Sequence, residues 1–390
     1  MSNKQIKQLN KQQKNLNKLL NRKKLDCKNI AKTQKGIKKK VNKIKKNKPS
    51  LTWSHPCKKI NKKNCKNKCD TCQDCDELPF DVPETYKFER NGESTVSFSG
   101  QTVRLRMAEE MTDIMDSKNV SLELLQNNFN NGQGFDEEYL NESGKNLNSK
   151  TAMYDSVANS VFDNYMKEFA DDVSKNFNRT ASKGTSGTLN SVPLKGGSPP
   201  FEYIYNLIYR VNEKGHELKQ LFSKGLIGAL CLDQIVNNYI TPLQLDSGSR
   251  TQDNTNNKLA DGKNYTDMEH KWDEGFGYVY GRETDVTLAS VANAPSGSGT
   301  LLMNYLKQVN DSNEPGIAEK IYKAFVVGRA AIVAKDYHER DNQAIIIQKL
   351  LSKVIAYKTI DYLNDYMSKN TEGKKAQAFH ALSGGYGFIY

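Results

Sequence analysis

The chain has 390 residues with 57 Lys and Arg against 45 Asp and Glu, a net charge of +12, and is long enough for two or three structural units and at least one sizeable core. That average hides a division, because residues 1–68 hold 24 of the basic residues and a single acid, Asp26, for a net of +23, whereas the remainder is acidic by 11. No run approaches the roughly 18 uninterrupted apolar residues of a membrane-spanning helix, and the first thirty residues lack the apolar core of a secretory signal.

Residues 1–56 read as a Lys-rich, disordered arm. Trp53 is the only aromatic residue before Phe80, so this stretch has too little apolar surface to offset the entropy of ordering it. Ile6, Leu9, Leu16, Leu19, Leu20 and Leu25 are spaced as a weakly amphipathic helix could use them. Lys38, Lys39, Lys40, Lys43, Lys45 and Lys46 can neutralise phosphates. Counterion release would then give sequence-independent affinity for nucleic acid or an anionic surface anywhere in residues 1–68. A solvated tail without a partner and a short coiled coil are the other readings of the same residues.

Residues 57–78 form a Cys-rich junction containing Cys57, Cys65, Cys69, Cys72 and Cys75, with His55 just ahead. Cys65, Cys69, Cys72 and Cys75 are close enough to enclose one thiophilic ion. Their spacing is unlike a zinc finger, and it reverses the order of gaps in a ferredoxin run. A thiolate metal cluster, redox or disulfide pairing, and inert thiols all remain open.

Residues 79–390 have ordinary globular composition, and their periodicity predicts an all-α domain. An extended lead-in over Tyr86–Phe98 precedes helices over 102–117, 120–130, 150–178, 201–223, 225–240, 264–280, 298–310, 315–335, 339–368 and 374–390. Ser182–Pro200 and Asp246–Gly262 read as surface loops. Ten helices exceed one four-helix bundle, so two packed bundles are expected. The apolar pattern Phe379, Leu382, Tyr386, Ile389 and Tyr390 is still helical where the sequence stops, which suggests an unusually bare end. Neither His216-Glu217 nor His338-Glu339 completes a two-histidine zinc helix, because Gln220 and Asn342 occupy the fourth positions on. No phosphate-binding loop is present, and Cys231, set in the apolar run Leu226–Leu232, reads as a packed thiol.

Several segments together resemble a family of uncharacterised bacterial lipoproteins related to imelysin. They include Tyr86-Lys-Phe-Glu-Arg-Asn-Gly92, Ser99-Gly-Gln-Thr-Val-Arg-Leu105, Leu140-Asn-Glu-Ser-Gly-Lys145, Lys224-Gly-Leu-Ile-Gly-Ala-Leu230, Asp233-Gln-Ile-Val-Asn237 and Gly262-Lys-Asn-Tyr-Thr266. His270-Lys-Trp-Asp-Glu-Gly-Phe-Gly-Tyr278, Gly328-Arg-Ala-Ala331, Asp336-Tyr337 and His380-Ala-Leu-Ser383 continue the match, which covers nearly all of 79–390. The resemblance implies a two-bundle helical protein associated with iron uptake, exported as a lipoprotein, with a Gly-x-His-x-x-Glu metal motif. Here Met268, His270 and Asp273 occupy those positions, and Glu274 follows at once. The basic arm stands where the family carries its export signal. The chain as written is therefore expected in the cytoplasm, or in a virion given its Lys, Asn and Ile bias.

On a helix, Asp273 and Glu274 lie three and four residues beyond His270, so an imidazole and two carboxylates can share a face. With His380, His338 or Asp233 from other helices, that trio would suit iron or zinc. The alternative is a helix-surface ion pair, or a hydrogen-bonded histidine beside packed Trp272 and Phe276. The expected function is an imelysin-like binding protein that holds a metal ion or small ligand between helices. A structural or nucleic-acid-packaging protein is the alternative from another class, and a metal-dependent hydrolase is a third.

Overall fold

A computed structural model describes residues 78–389, apart from 152–155, 199, 294–295 and 297–300. The basic arm and the cysteines of the junction lie outside the described residues. Phe80–Tyr390 forms one compact unit.

The expected extended lead-in is present. Tyr86 and Phe88 are buried, and β1 (Glu89–Arg90) pairs with β2 (Glu93–Ser94) across an Asn91-Gly92 turn. The first helix, α1 (Ser99–Ile114), buries Leu105, Met107, Ala108 and Met111. Four further helices follow: α2 (Leu122–Gln126), α3 (Glu138–Glu142), α4 (Ser156–Asp171) and α5 (Leu218–Leu226). The last of these continues through two wider, π-type segments, Ile227–Leu232 and Gln234–Tyr239. Short helices α6 (Pro242–Leu245) and α7 (Arg250–Thr255) lead to α8 (Asp267–Tyr280). Thr266 and Glu269 cap α8 reciprocally, each side chain taking the other's backbone N–H. The C-terminal part comprises α9 (Ala289–Asn293), α10 (Leu302–Ser312), α11 (Ile317–Ala334), α12 (Tyr337–Thr371) and α13 (Lys375–Ile389).

The domain is therefore predominantly helical, as its periodicity implied. One set of helices (α10 to α13) packs with α5, a second gathers around α1, α4 and α8, and α8 also meets α11. A single continuous core runs through both. Its centre is aromatic: Tyr86 stacks on Phe276 at 3.6 Å, and Trp272, Tyr280, Tyr322 and Phe325 surround the pair.

The segment 201–223 departs from the expected helix. Only Leu218 onward is helical, and the preceding residues include two strands, Tyr203–Tyr205 and Ile208–Val211. β3 (Gly187–Asn190) pairs antiparallel with β6 (Ile208–Val211), and β4 (Leu194–Gly196) pairs with β5 (Tyr203–Tyr205). Together they make one long hairpin. Asn190 faces Ile208 whereas Leu194 faces Tyr205, so the first arm holds one extra residue, a bulge, at 191–193. The reason is visible in the residue types, since Tyr203, Tyr205, Leu207, Tyr209 and Val211 alternate, and aromatic and β-branched side chains favour a pleated surface. The expected loop 182–200 accordingly carries β3 and β4, and the expected loop 246–262 carries α7.

α12 and α13 are joined by a three-residue connection and lie side by side, with α13 also against α5. Close approach is what Gly384 provides: a Cβ there would meet the Tyr362 ring at 2.6 Å.

Candidate functional site

The trio on α8 is arranged by burial. Asp273 lies on the inner face and is fully buried, where its Oδ1 accepts from the Tyr86 hydroxyl (2.7 Å) and from Arg329 Nε (3.0 Å), and its Oδ2 from the Ser97 amide (3.2 Å). Burial pushes its carboxyl up to about 6, against the pull of Arg329, Tyr86 and the Ser97 amide. Glu269, one turn earlier, meets Arg329 Nη1 at 3.2 Å and Arg90 Nη2 at 3.0 Å. Burial works to raise the Glu269 carboxyl, but Arg329, the Thr266 amide and Arg90 outweigh it and hold the group below its ordinary range. Glu274 turns the other way, accepting from Gln101 Nε2 (3.1 Å) and Lys271 Nζ.

His270 is half-buried. Its Nδ1 sits 3.0 Å from the Ser97 carbonyl, and Tyr265 stacks on its ring at 4.8 Å. Burial lowers its proton affinity below that of an ordinary imidazole. The structure thus engages His270 with the Ser97 carbonyl, Asp273 with Tyr86, Arg329 and the Ser97 amide, and Glu274 with Gln101 and Lys271. Asp233 accepts from the Asn237 side-chain amide (2.7 Å), His338 lies in the first turn of α12, and His380 lies on α13. Among the described residues, no three His, Cys, Asp or Glu side chains form a group that could hold a metal ion. Cys65, Cys69, Cys72 and Cys75, and Lys38, Lys39, Lys40, Lys43, Lys45 and Lys46, fall outside the described residues. Cys231 is buried, and burial pushes its thiol up to about 12, as a packed thiol requires.

His380 does border a cavity. A cleft of about 670 Å³ opens between α12, α13, α10 and the long hairpin. Lys358, the adjacent Asp361 and Tyr362, Asp365 and Lys369 follow one another at steps of about one turn along α12 and so present one helical face to it. Asn364 and Ser368 widen that face, while Gln308, Leu207, Tyr209 and His380 close the other sides. The lining is charged but balanced. Lys358 pairs with Asp361 (3.2 Å) and Lys369 with Asp365, and Asp361 also accepts from Asn313 (3.0 Å). Lys358 is nearly buried between the rings of Tyr305 and Tyr362. Burial raises the Tyr362 hydroxyl's pKa, so it remains a neutral donor.

At the cleft wall, His380 Nδ1 lies 2.7 Å from Glu217 Oε2, and Tyr209 packs on the imidazole at 4.7 Å. Glu217 is 163 positions away in sequence and is itself nearly buried. The tip of the hairpin exposes Phe201, Tyr203 and Ile204.

The model of the family described as Domain of unknown function (DUF4856) matches residues 83–390. The chain belongs to that family. No curated protein and no solved structure matches it. The DUF4856 family description names neither imelysin nor lipoproteins. No described helix of the DUF4856 domain is long and apolar enough to cross a membrane.

Arg329, Tyr86 and Glu217 are the residues whose importance the sequence reading missed. Arg329 carried a signal, being the one charge in the apolar stretch Ala324–Ala334 of a helix. A charge so placed requires a buried partner. Glu217 carried none, because its partner lies on a different helix.

Proposed function

We propose that the DUF4856 domain is a binding protein that takes a polar, uncharged or zwitterionic small molecule into the cleft between α12, α13 and the hairpin. The observation that carries this reading is the cleft itself: its volume suits a small ligand, and its lysines and carboxylates are paired, so the lining has no net preference for anions or cations. Hydroxyl, amide and imidazole groups of Tyr362, Asn364, Gln308 and His380 then supply directional recognition. This reading keeps the imelysin-like binding role between helices and moves it from His270 to His380. Iron or zinc has no part in it, because Asp273 and Glu274 are already engaged by Tyr86, Arg329, Gln101 and Lys271.

The test is thermal denaturation of the full chain against a panel of amino acids, monosaccharides and nucleosides. At least one member is expected to raise the melting temperature, since a ligand at a hundred times its Kd adds about 2.7 kcal/mol. Asn364→Trp, at an exposed position on the cleft face, is expected to abolish that rise. No shift from any panel member, or an equal shift in Asn364→Trp, rejects the reading.

A second property rests on charge. The +23 over residues 1–68 supports polyanion binding by the arm, with the helical domain as cargo or scaffold. Affinity for duplex DNA is expected to fall steeply between about 50 and 200 mM salt, with little dependence on base sequence. Undiminished affinity after deletion of residues 1–50, measured by fluorescence anisotropy, contradicts it.

A further inference from the structure

We propose that Glu217 and His380 form a general-base dyad that hydrolyses a small neutral acyl ester held in the cleft. The inference rests on the cleft being a ligand site, and it goes beyond binding.

The geometry is that of a carboxylate fixing one histidine tautomer. Glu217 Oε2 lies 2.7 Å from His380 Nδ1, so the proton resides on Nδ1 and the Nε2 lone pair is left free. Nε2 has no protein hydrogen bond among the described residues, and His380 lines the cleft. The backbone that carries this carboxylate is held firmly. Ser383 Oγ accepts the Glu217 amide (2.9 Å) while donating to the Phe379 carbonyl (2.8 Å), which ties Glu217 to the helix that carries His380. The Glu217 carbonyl accepts from Gln220 and Leu221 in the first turn of α5, and Tyr209 packs against the imidazole. An ion pair between two solvated side chains needs none of this support.

The chemistry balances without a cofactor. Water in the cleft adds to the ester carbonyl carbon as His380 Nε2 removes its proton, and Glu217 stabilises the imidazolium that forms. The tetrahedral oxyanion then re-forms the C=O bond and breaks the C–O bond to the alcohol. The imidazolium returns its proton to the departing alkoxide, giving a carboxylic acid and an alcohol. The side-chain amides of Asn364 and Gln308 line the same cleft and are the neutral donors available to the oxyanion. A neutral ester fits because the paired lining offers no net charge to attract an ion. His380 is the catalytic residue, and Glu217 is a positioning residue.

The test uses the full chain and 4-nitrophenyl acetate, which requires no knowledge of the natural ligand. The wild type is expected to exceed an equal concentration of free imidazole by about a hundredfold, the lower bound for a positioned base. His380→Gln is expected to remove that excess. Glu217→Gln is expected to lower kcat at least about tenfold with KM nearly unchanged, because the imidazole loses the group that orients it, and Glu217→Asp is expected to recover part of the rate. A merely structural glutamate would lower the rate only in step with the folded fraction, with no recovery in Glu217→Asp. Should His380→Gln fail to fold, Asn364→Trp decides, and a retained rate in that variant overturns the proposal. A wild-type rate no greater than that of imidazole also overturns it. Ligand-induced stabilisation without hydrolysis would sink the dyad and leave the binding function intact.

Discussion

Arg329→Ala is expected to destabilise the domain by about 3–5 kcal/mol, the cost of removing one partner from a buried ion pair. The guanidinium is fully buried and serves three neighbours at once: Asp273 through Nε (3.0 Å), Glu269 through Nη1 (3.2 Å) and Thr95 Oγ1 through Nη2 (3.0 Å). It also packs over the Phe88 ring at 4.9 Å. Truncation leaves Asp273, which has no exposure, with only Tyr86 and the Ser97 amide, and leaves Glu269 with the Thr266 amide and the part-exposed Arg90. Domains of this kind are stable by only about 5–15 kcal/mol, so the loss is a large share of the total. The attraction between the charges is not by itself the source of stability, since well-packed apolar replacements of buried ion networks are often neutral or better. Asp273→Asn in the Arg329→Ala background is therefore expected to recover part of the loss. Urea denaturation of the three proteins checks this, and a single-mutant cost below about 1 kcal/mol would show that the network is open to water.

The second large effect is expected one residue earlier in the chain. A Cβ at Gly328 would stand 2.0 Å from Trp272 Cζ2 and 2.5 Å from Cη2, far inside van der Waals contact. Trp272 cannot swing away, because it is fully buried and its Nε1 donates to the Phe325 carbonyl (2.9 Å). Gly328→Ala must therefore separate α8 from α11 or force the indole off its rotamer, and overpacking of this sort costs about 1–3 kcal/mol. The upper end is expected here, because the contact pins together the two helices that carry Asp273 and Arg329. Adding Trp272→Phe, which removes the clashing ring atoms, is expected to restore part of the stability. An unchanged melting temperature for Gly328→Ala would show that the two helices are not in close contact at this point.

Much of the architecture was legible from local pattern. The division of charge at the arm, the buried thiol of Cys231, and the helices at 267–280, 317–334 and 337–371 follow from composition and from apolar periodicity over long windows. There, intrinsic preference and burial agree. The hairpin was harder, since the apolar residues of Phe201–Tyr209 suit a helical period nearly as well as an alternating one. Pairing with 187–196 decided between them, through backbone partners that a single-segment reading does not contain.

The site divided along the same line. The sequence placed His270, Asp273 and Glu274 at helical spacing, and that spacing is what α8 shows. Spacing fixes which residues share a turn, but it does not fix which of them point inward. The packing of α8 against α11 and the lead-in turned Asp273 to Arg329 and Tyr86 and left Glu274 to Gln101 and Lys271. His380 was singled out from the sequence, whereas its pairing with Glu217 and its place on a cleft wall exist only once α13 lies against α5 and α12. Local residue order determines which chemistry a helix carries. The long-range burial of its neighbours determines which groups are consumed in holding the core and which stay free to meet a ligand.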